Sequence, residues 1–281
     1  MKLFSIALRF ILIIFVVSVC GGGCGGAKLG PPTRVSVMTY NIYHGEDANG
    51  GSNLDDVVRI INSLKPDLVA FQEVDNKTTR AKGLDLTAEL SKRTGMKGVF
   101  GKAMDYAGGG YGEAVLSGYP VLDTKNNPLP HSAQAEPRTA LEVQIELPTG
   151  VKIAFVGTHL DHQREKSNRM KQASRIKELY ENYDLPIVLA GDLNAVPGSD
   201  PINLLSGQWC YAAEGDPQPT FPSVRPRRKI DYIMYKPKDR WKVVEVRVID
   251  EKVASDHCPV FTVLELVGRS EKGELEVRRE K

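Results

Sequence analysis

Six short stretches hold most of the polar residues that could do chemistry. "VMTYN" closes an apolar run with Asn41, "LVAFQE" with Glu73, "IAFVGTH" with His159, and "IVLAGDLN" with Asp192 and Asn194. "KIDYIMY" carries Asp231 at its start, and "SDHCPVF" sets Asp256 and His257 just ahead of the last apolar run. A single buried carboxylate costs several kcal/mol unless it is paired or bound to a metal. One such strand end would be an accident, whereas eight side chains converging on one rim would describe a site built to hold charge. Carboxylate and amide oxygens are hard ligands, and five histidines are too few for a zinc cage. Mg²⁺ or Mn²⁺ is the natural ion, one that keeps waters and takes a phosphate oxygen.

"LAGDLNAVPGS" poses the sharpest question. Strand alternation would put Asp192 and Asn194 on one face and Leu193 on the other. Asp and Asn ahead of a Pro-Gly pair equally suit a chain reversal. The stretch alone leaves both readings open.

The elements that must position these residues are legible from periodicity. "RVSVMTYN" and "DLVAFQEV" read as strands. Residues 53–67 place apolar side chains at a helical spacing, with Asn53 as N-cap and Pro66 near the end. "LDLTAELSKRTG" predicts a helix closed by Gly95, and "GEAVLS" a short strand. "TALEVQIELPTGVKIAFVGTHL" predicts a hairpin about a Pro-Thr-Gly turn. Residues 164–183 predict a charged helix with Met170, Ala173, Ile176, Leu179 and Tyr180 on one stripe. "PIVLAGDLN", "KIDYIMY", "KVVEVRVID" and "CPVFTVLEL" read as further strands. Hairpins with only two or three long helices argue against an alternating parallel α/β fold and for an α+β one, with largely antiparallel sheets carrying helices on their outer faces.

Composition bounds the rest. The chain has 281 residues, 41% hydrophobic and 26% charged, enough for a sizeable core. Lys2 and Arg9 account for the net charge of +2, so residues 20–281 sum to zero. Attraction to a polyanion must therefore be local. The basic cluster "RPRRK", which includes Arg228 and runs to the residue before Ile230, is either a solvated loop or a grip on neighbouring phosphates. Residues 1–19 join two positive charges to the apolar run "FILIIFVVSV", too short to span a bilayer and suited to a signal peptide. "CGGGCGGAKLGPPT", residues 20–33, is a Gly-rich tether. Its start resembles a lipoprotein signal, with Cys20 or Cys24 as the lipidated residue that would attach the protein to a membrane. Export follows from either lipidation or simple secretion. Cys210 and Cys258 lack metal-type spacing; a bridge between them is open to an exported protein. Residues 34–268 form the folded domain, and 269–281 a polar tail.

"TYN", "QEV", "THL", "GDLNA", "IDYI" and "SDHCPV", in this order, make the chain similar to the endonuclease/exonuclease/phosphatase superfamily, of secreted bacterial type, over residues 34–266. The resemblance implies a four-layer αββα sandwich with the active site at one end of two packed sheets. It implies that Asp192 orients or deprotonates the attacking water and that Asn194 holds that water or a phosphoryl oxygen. Glu73 would be a metal ligand, with Asn41 and Asp256 completing the shell largely through water. Asp231 would hold His257 protonated, and His159 would donate to a non-bridging oxygen. Arg138 resembles the family's phosphate-contacting arginine. Glu113 would either support His159 or form a salt bridge on an edge strand. His44, in "YNIYHGED", would face substrate or pack a loop.

These readings lead to a metal-dependent phosphoesterase, acting as a monomer on a phosphodiester such as nucleic acid or phospholipid. A phosphomonoesterase on inositol or sugar phosphates is equally permitted. A non-catalytic binding lipoprotein on the same fold is disfavoured, since every position of the constellation is filled.

Overall fold

A computed structural model describes residues 33–268. The expected signal peptide, the tether up to residue 32 and the polar tail lie outside the described residues. Twelve strands form two mixed six-stranded sheets, ordered β11-β12-β1-β2-β4-β3 and β5-β6-β7-β8-β10-β9. The first contains β1 (Thr33–Asn41), β2 (Leu68–Asn76), β3 (Lys97–Tyr106), β4 (Gly109–Ser117), β11 (Trp241–Val248) and β12 (Val260–Leu266). The second contains β5 (Val121–Leu129), β6 (Arg138–Glu146), β7 (Lys152–His159), β8 (Ile187–Asp192), β9 (Cys210–Tyr211) and β10 (Asp231–Lys236). Most pairings are antiparallel. Each sheet also has one parallel pair, β1/β2 through α1 (Leu54–Leu64) and β7/β8 through α3 (Ser167–Leu179).

Alternation along the strands builds three apolar layers. Val35, Val37, Leu68, Ala70 and Val115 of the first sheet meet Leu141, Val143, Phe155, Val188 and Ile233 of the second. On the far side of the first sheet, Met38, Tyr40, Val69 and Phe71 pack beneath Val57 and Ile61 of α1 and Leu90 of α2 (Leu86–Thr94). Across the molecule, Val156, Ile187, Leu189 and Tyr232 pack beneath Ala173 and Ile176 of α3 and Ile202 and Leu205 of α4 (Asp200–Ser206). The result is the four-layer αββα sandwich. Among the described residues no helix is long and apolar enough to cross a membrane.

The same alternation aims the site. Val35 and Val37 face the inter-sheet layer, so Asn41 falls on that side at the end of β1. Phe155 does the same for His159, Val188 for Asp192, and Ile233 for Asp231. In β2, inward Leu68 and Ala70 would make Glu73 point outward. A register shift between Phe71 and Val74 corrects this, with Glu73 at φ 59°. Such a bulge re-aims a side chain by one position.

Several elements differ from expectation. Asn53 is the N-cap residue of α1, as expected, but its side chain makes no capping bond: Nδ2 donates to the carbonyls of Ile42, Glu46 and Ala254 at 2.7, 3.1 and 2.7 Å, tying the β1 end to the loop before β12. Strands β3, β5 and β9 and helix α4 had no clean period to betray them; β5 is mostly exposed, with only Leu129 buried. Cys210 and Cys258 are free thiols.

Candidate active site

Asp192 lies at the centre of the polar cluster. Gly191 allows it to be there: a Cβ at 191 would lie 1.9 Å from the Thr158 carbonyl oxygen on β7. After Asp192 the chain turns. Asn194 has φ 48°, and its N–H donates to Asp192 Oδ1 at 2.9 Å. The stretch is thus an Asx-type turn and a polar cluster at once, since the hydrogen bond that makes the reversal also orients the carboxylate. The other oxygen, Oδ2, lies 3.3 Å from His159 Nε2, 3.6 Å from His257 Nε2 and 3.4 Å from Asn41 Nδ2. Burial alone would raise this carboxyl's pKa; the two imidazoles outweigh burial and hold it well below the usual range.

His257 is gripped from behind. Its Nδ1 lies 3.1 Å from each Asp231 oxygen, and Thr220 Oγ1 also donates to Asp231. Burial would lower the imidazole's pKa, but Asp231 and Asp192 push it up to about 10. The ring is therefore protonated at neutral pH, with Nδ1–H on Asp231 and Nε2–H facing Asp192. Ligand atoms of Asp192, Asp231 and His257 lie within 4.8 Å of one another. His257 sits between the two carboxylates, with Nδ1 on Asp231 and Nε2 toward Asp192.

The oxygen cluster lies on the first sheet's side. Glu73 accepts from Asn41 Nδ2 at 3.0 Å and lies 3.7 Å from His44 Nδ1. Burial works against its ionisation, yet His44, His159 and Asn41 bring its pKa to about 2. Asp256 is displaced the other way, raised first by burial and further by the charges of Glu73 and Asp192. Carboxylate oxygens such as those of Glu73 and Asp256 are donors suited to a hard divalent cation. Asn41, expected to complete a metal shell largely through water, here turns its amide nitrogen to the carboxylates. Its Oδ1 accepts the Tyr43 N–H at 3.1 Å and its nitrogen faces the carboxylates, because Tyr43 and His44 turn the chain back at φ 44° and 47°. Asn41 positions Glu73 and Asp192.

His159 faces Arg138. Arg138, 2% exposed, donates through Nη1 to His159 Nδ1 at 3.0 Å. Nδ1 is then the acceptor, and Nε2 faces both Asp192 Oδ2 and the donor nitrogen Nδ2 of Asn194. The Asn194 amide, which donates to the Leu160 carbonyl at 3.0 Å, lies 2.9 Å from that same Nε2. Glu113 does not support His159, as one reading had it, nor is it an edge salt bridge. The guanidinium occupies the ring nitrogen, and β4, the strand of Glu113, is interior to the sheet. Both Glu113 oxygens are buried without a hydrogen-bond partner among the described residues; burial raises its pKa well above the usual 4.5. Arg138 Nη2 also meets Glu136 at 2.9 Å and His162 at 3.2 Å.

A cavity of about 400 Å³ opens over this cluster, lined by His44, Glu73, Arg138, His159, Asp192, Asn194, Arg228, Asp256 and His257. Asn41, Asp231 and Glu113 stand behind them. Arg228 lies 5.9 Å from the centre of the Phe221 ring, which lies 4.8 Å from that of His257. The sequence reading missed Arg80, Tyr106, Tyr111, Phe221 and His162, which also line the wall. Of these, only His162, three residues past His159, had a signal in its spacing.

This fold and site define a class. The model of the endonuclease/exonuclease/phosphatase family matches residues 38–257, and the chain belongs to that family. The fold is shared with an endonuclease/exonuclease/phosphatase family protein of Bacteroides thetaiotaomicron, 18% identical with a TM-score of 0.71 over 84% of this chain and 99% of that one. A mannosyl-6-phosphatase of the same organism is 18% identical, TM-score 0.68, over 82% and 99% of the two chains. The human Nocturnin catalytic domain, with bound sulfate, is 20% identical, TM-score 0.67, over 84% and 94%. The chain has the phosphoesterase fold of this family.

Proposed function

We propose that the protein is an exported, divalent-cation-dependent phosphoesterase that hydrolyses a phosphodiester by in-line attack of water. The observation that supports this most is the crowding of Asp192 Oδ2 by His159, His257 and Asn41 at the floor of the cavity. A carboxylate held so far below its usual pKa is a weak base while both imidazoles face it. An arriving phosphate draws the imidazole N–H groups to its own oxygens. Asp192 is then free to orient a water and take its proton as the P–O bond forms. His257, fixed by Asp231, donates from Nε2 to a phosphoryl oxygen, and Asn194 and His159 hold the opposite side. Glu73 and Asp256 would hold Mg²⁺ or Mn²⁺, which when bound neutralises the phosphate and stabilises the leaving oxygen.

A phosphomonoester is the second reading, favoured by a cavity of only about 400 Å³ and by the fold shared with a mannosyl-6-phosphatase. Export, with lipid at Cys20 or Cys24, is proposed from residues 1–24; mass spectrometry of the N-terminal peptide tests it. The activity is tested on a panel of bis-p-nitrophenyl phosphate, plasmid DNA, sphingomyelin and sugar phosphates, with Mg²⁺ and with EDTA. Turnover of a diester that EDTA stops and Mg²⁺ restores is the expected result. Turnover of sugar phosphates alone selects the second reading, and turnover insensitive to EDTA overturns both.

A further inference from the structure

Arg80, on the wall of the cavity over Asp192, lies in the turn after β2 and is held with unusual completeness. Its Nε and Nη2 donate to Asp75 Oδ2 and Oδ1 at 3.0 and 2.8 Å. Asp75 is fully buried and also accepts from Thr78 Oγ1 at 2.6 Å. The guanidinium carbon lies 4.7 Å from the centre of the Tyr106 ring and 5.7 Å from that of Tyr111. One edge and the π-face of the guanidinium are thus committed. The remaining nitrogen, Nη1, makes no hydrogen bond among the described residues and is not buried without a partner. If the Asp75 pair served only to anchor the β3–β4 hairpin, no edge need remain open.

Arg80 lines two cavities. Arg80 and His44 line both the cavity over Asp192 and a neighbouring one of about 370 Å³. The second is bounded by Gly45, Gly50, Gly51, Leu84 and Lys82 as well. Its one carboxylate, Glu46, is within 3.4 Å of His44 Nε2. Arg80 and Lys82 are the cationic side chains of this second space, whose lining also includes Leu54, Ala81 and Leu86. A guanidinium pinned on one edge presents the other in a fixed direction, the geometry that suits a phosphate or carboxylate oxygen.

We propose that Arg80 is a specificity-determining residue that binds a second anionic group, of phosphate type, carried on the alcohol part of the substrate. Resting on the phosphoesterase reading, this names the substrate class: a small phosphate ester with a further phosphate. The ester phosphate occupies the cavity over Asp192 and the second phosphate the cavity behind Arg80 and His44. At roughly 30 Å³ per water, each space suits a sugar- or polyol-sized group.

Binding tests this independently of turnover. Glucose 6-phosphate and glucose 1,6-bisphosphate are titrated calorimetrically, with Mg²⁺, into the mature protein carrying Asp192→Asn. The bisphosphate should bind at least about tenfold more tightly, the effect of one charge-assisted contact. Adding Arg80→Gln should bring the ratio to near unity, and Arg80→Lys should leave it intermediate. A purely structural Arg80 would lower melting temperature and both affinities while leaving their ratio unchanged, and that result overturns the proposal. So does a ratio near unity before Arg80 is altered, or binding of neither sugar. Hydrolysis of bis-p-nitrophenyl phosphate by the unsubstituted protein, run in parallel, reports separately on the phosphoesterase reading. If Arg80→Gln does not fold, Arg80→Lys and Tyr106→Leu carry the comparison, each expected to lower the ratio.

Discussion

The two sheets meet at the site as near counterparts. In each, a parallel pair joined through a helix is flanked by an antiparallel strand with a buried carboxylate. Asn41 on β1 corresponds to His159 on β7, Glu73 on β2 to Asp192 on β8, and Glu113 on β4 to Asp231 on β10. The backbones differ: β2 needs a bulge to turn Glu73 inward, whereas β8 stays in register to Asp192, paired with Asp231. The partners differ more. Asp231 receives His257 and Thr220, both brought by loops outside its strand. Glu113 receives no hydrogen bond among the described residues. Equivalent positions on one scaffold thus become a histidine-paired carboxylate on one sheet and a buried carboxyl without a hydrogen-bond partner on the other, beside the Glu73 proposed to hold the cation. The difference between Glu113 and Asp231 lies in whether a loop delivers a histidine to the carboxylate.

The largest effect should come from the second sheet. Asp192→Asn keeps the shape but cannot take a proton, and kcat should fall about 10³-fold, within the range for a positioned acid–base group. Glu113→Gln, at the counterpart of Asp231, should cost less than tenfold. Steady-state kinetics on bis-p-nitrophenyl phosphate checks both; equal losses would mean the two halves are not divided as described.

A smaller effect should come from the first sheet. Glu73→Gln removes the charge that Asn41 and His44 support, and the Mg²⁺ concentration for half activity should rise at least about tenfold. Asp231→Asn should leave that concentration nearly unchanged. Should both variants shift it alike, the trio around Asp192 would be holding the ion after all.

How far the sequence foretold this depends on which force sets each feature. Strands β1, β2, β7, β8, β10 and β12 were legible because they alternate or run apolar between two packed layers, and so were the residues at their ends. Strand β5 was not, being mostly exposed, and β9 is two residues long. Asn194's dual role as turn and site residue was open in sequence, since a turn and a strand end use the same side chains. The inversion of Asn41 depends on two consecutive left-handed residues, Tyr43 and His44, neither of them a glycine. Arg80 was invisible because its partner, Asp75, is an unremarkable acid in a strand until the fold buries it.

The finest test of the comparison is the pH dependence of stability, measured in EDTA so that both carboxylates are in the state described. His257 has its pKa raised from 6.5 to about 10 in the folded protein. Its contribution is therefore complete below pH 6.5 and is lost as pH rises toward 10. Asp231→Asn should lower Tm most at pH 6.5 and below, with the deficit shrinking as pH approaches 10. Glu113 also has a raised pKa, but as a carboxyl group and chiefly through burial. Below its ordinary value of 4.5 it is protonated folded or unfolded, and Glu113→Gln should be almost silent there. Above that pH the unfolded chain gains from ionising while the folded one resists. The wild-type is then penalised, and the glutamine variant should become the more stable by about 2–4 °C per kcal/mol of penalty removed. Melting curves of both variants between pH 4 and pH 10 decide it. A Glu113→Gln deficit that grows with pH would mean this carboxylate has a cationic partner strong enough to keep it ionised, with Arg138 the nearest candidate, and the contrast between the two sheets would narrow to the histidine alone.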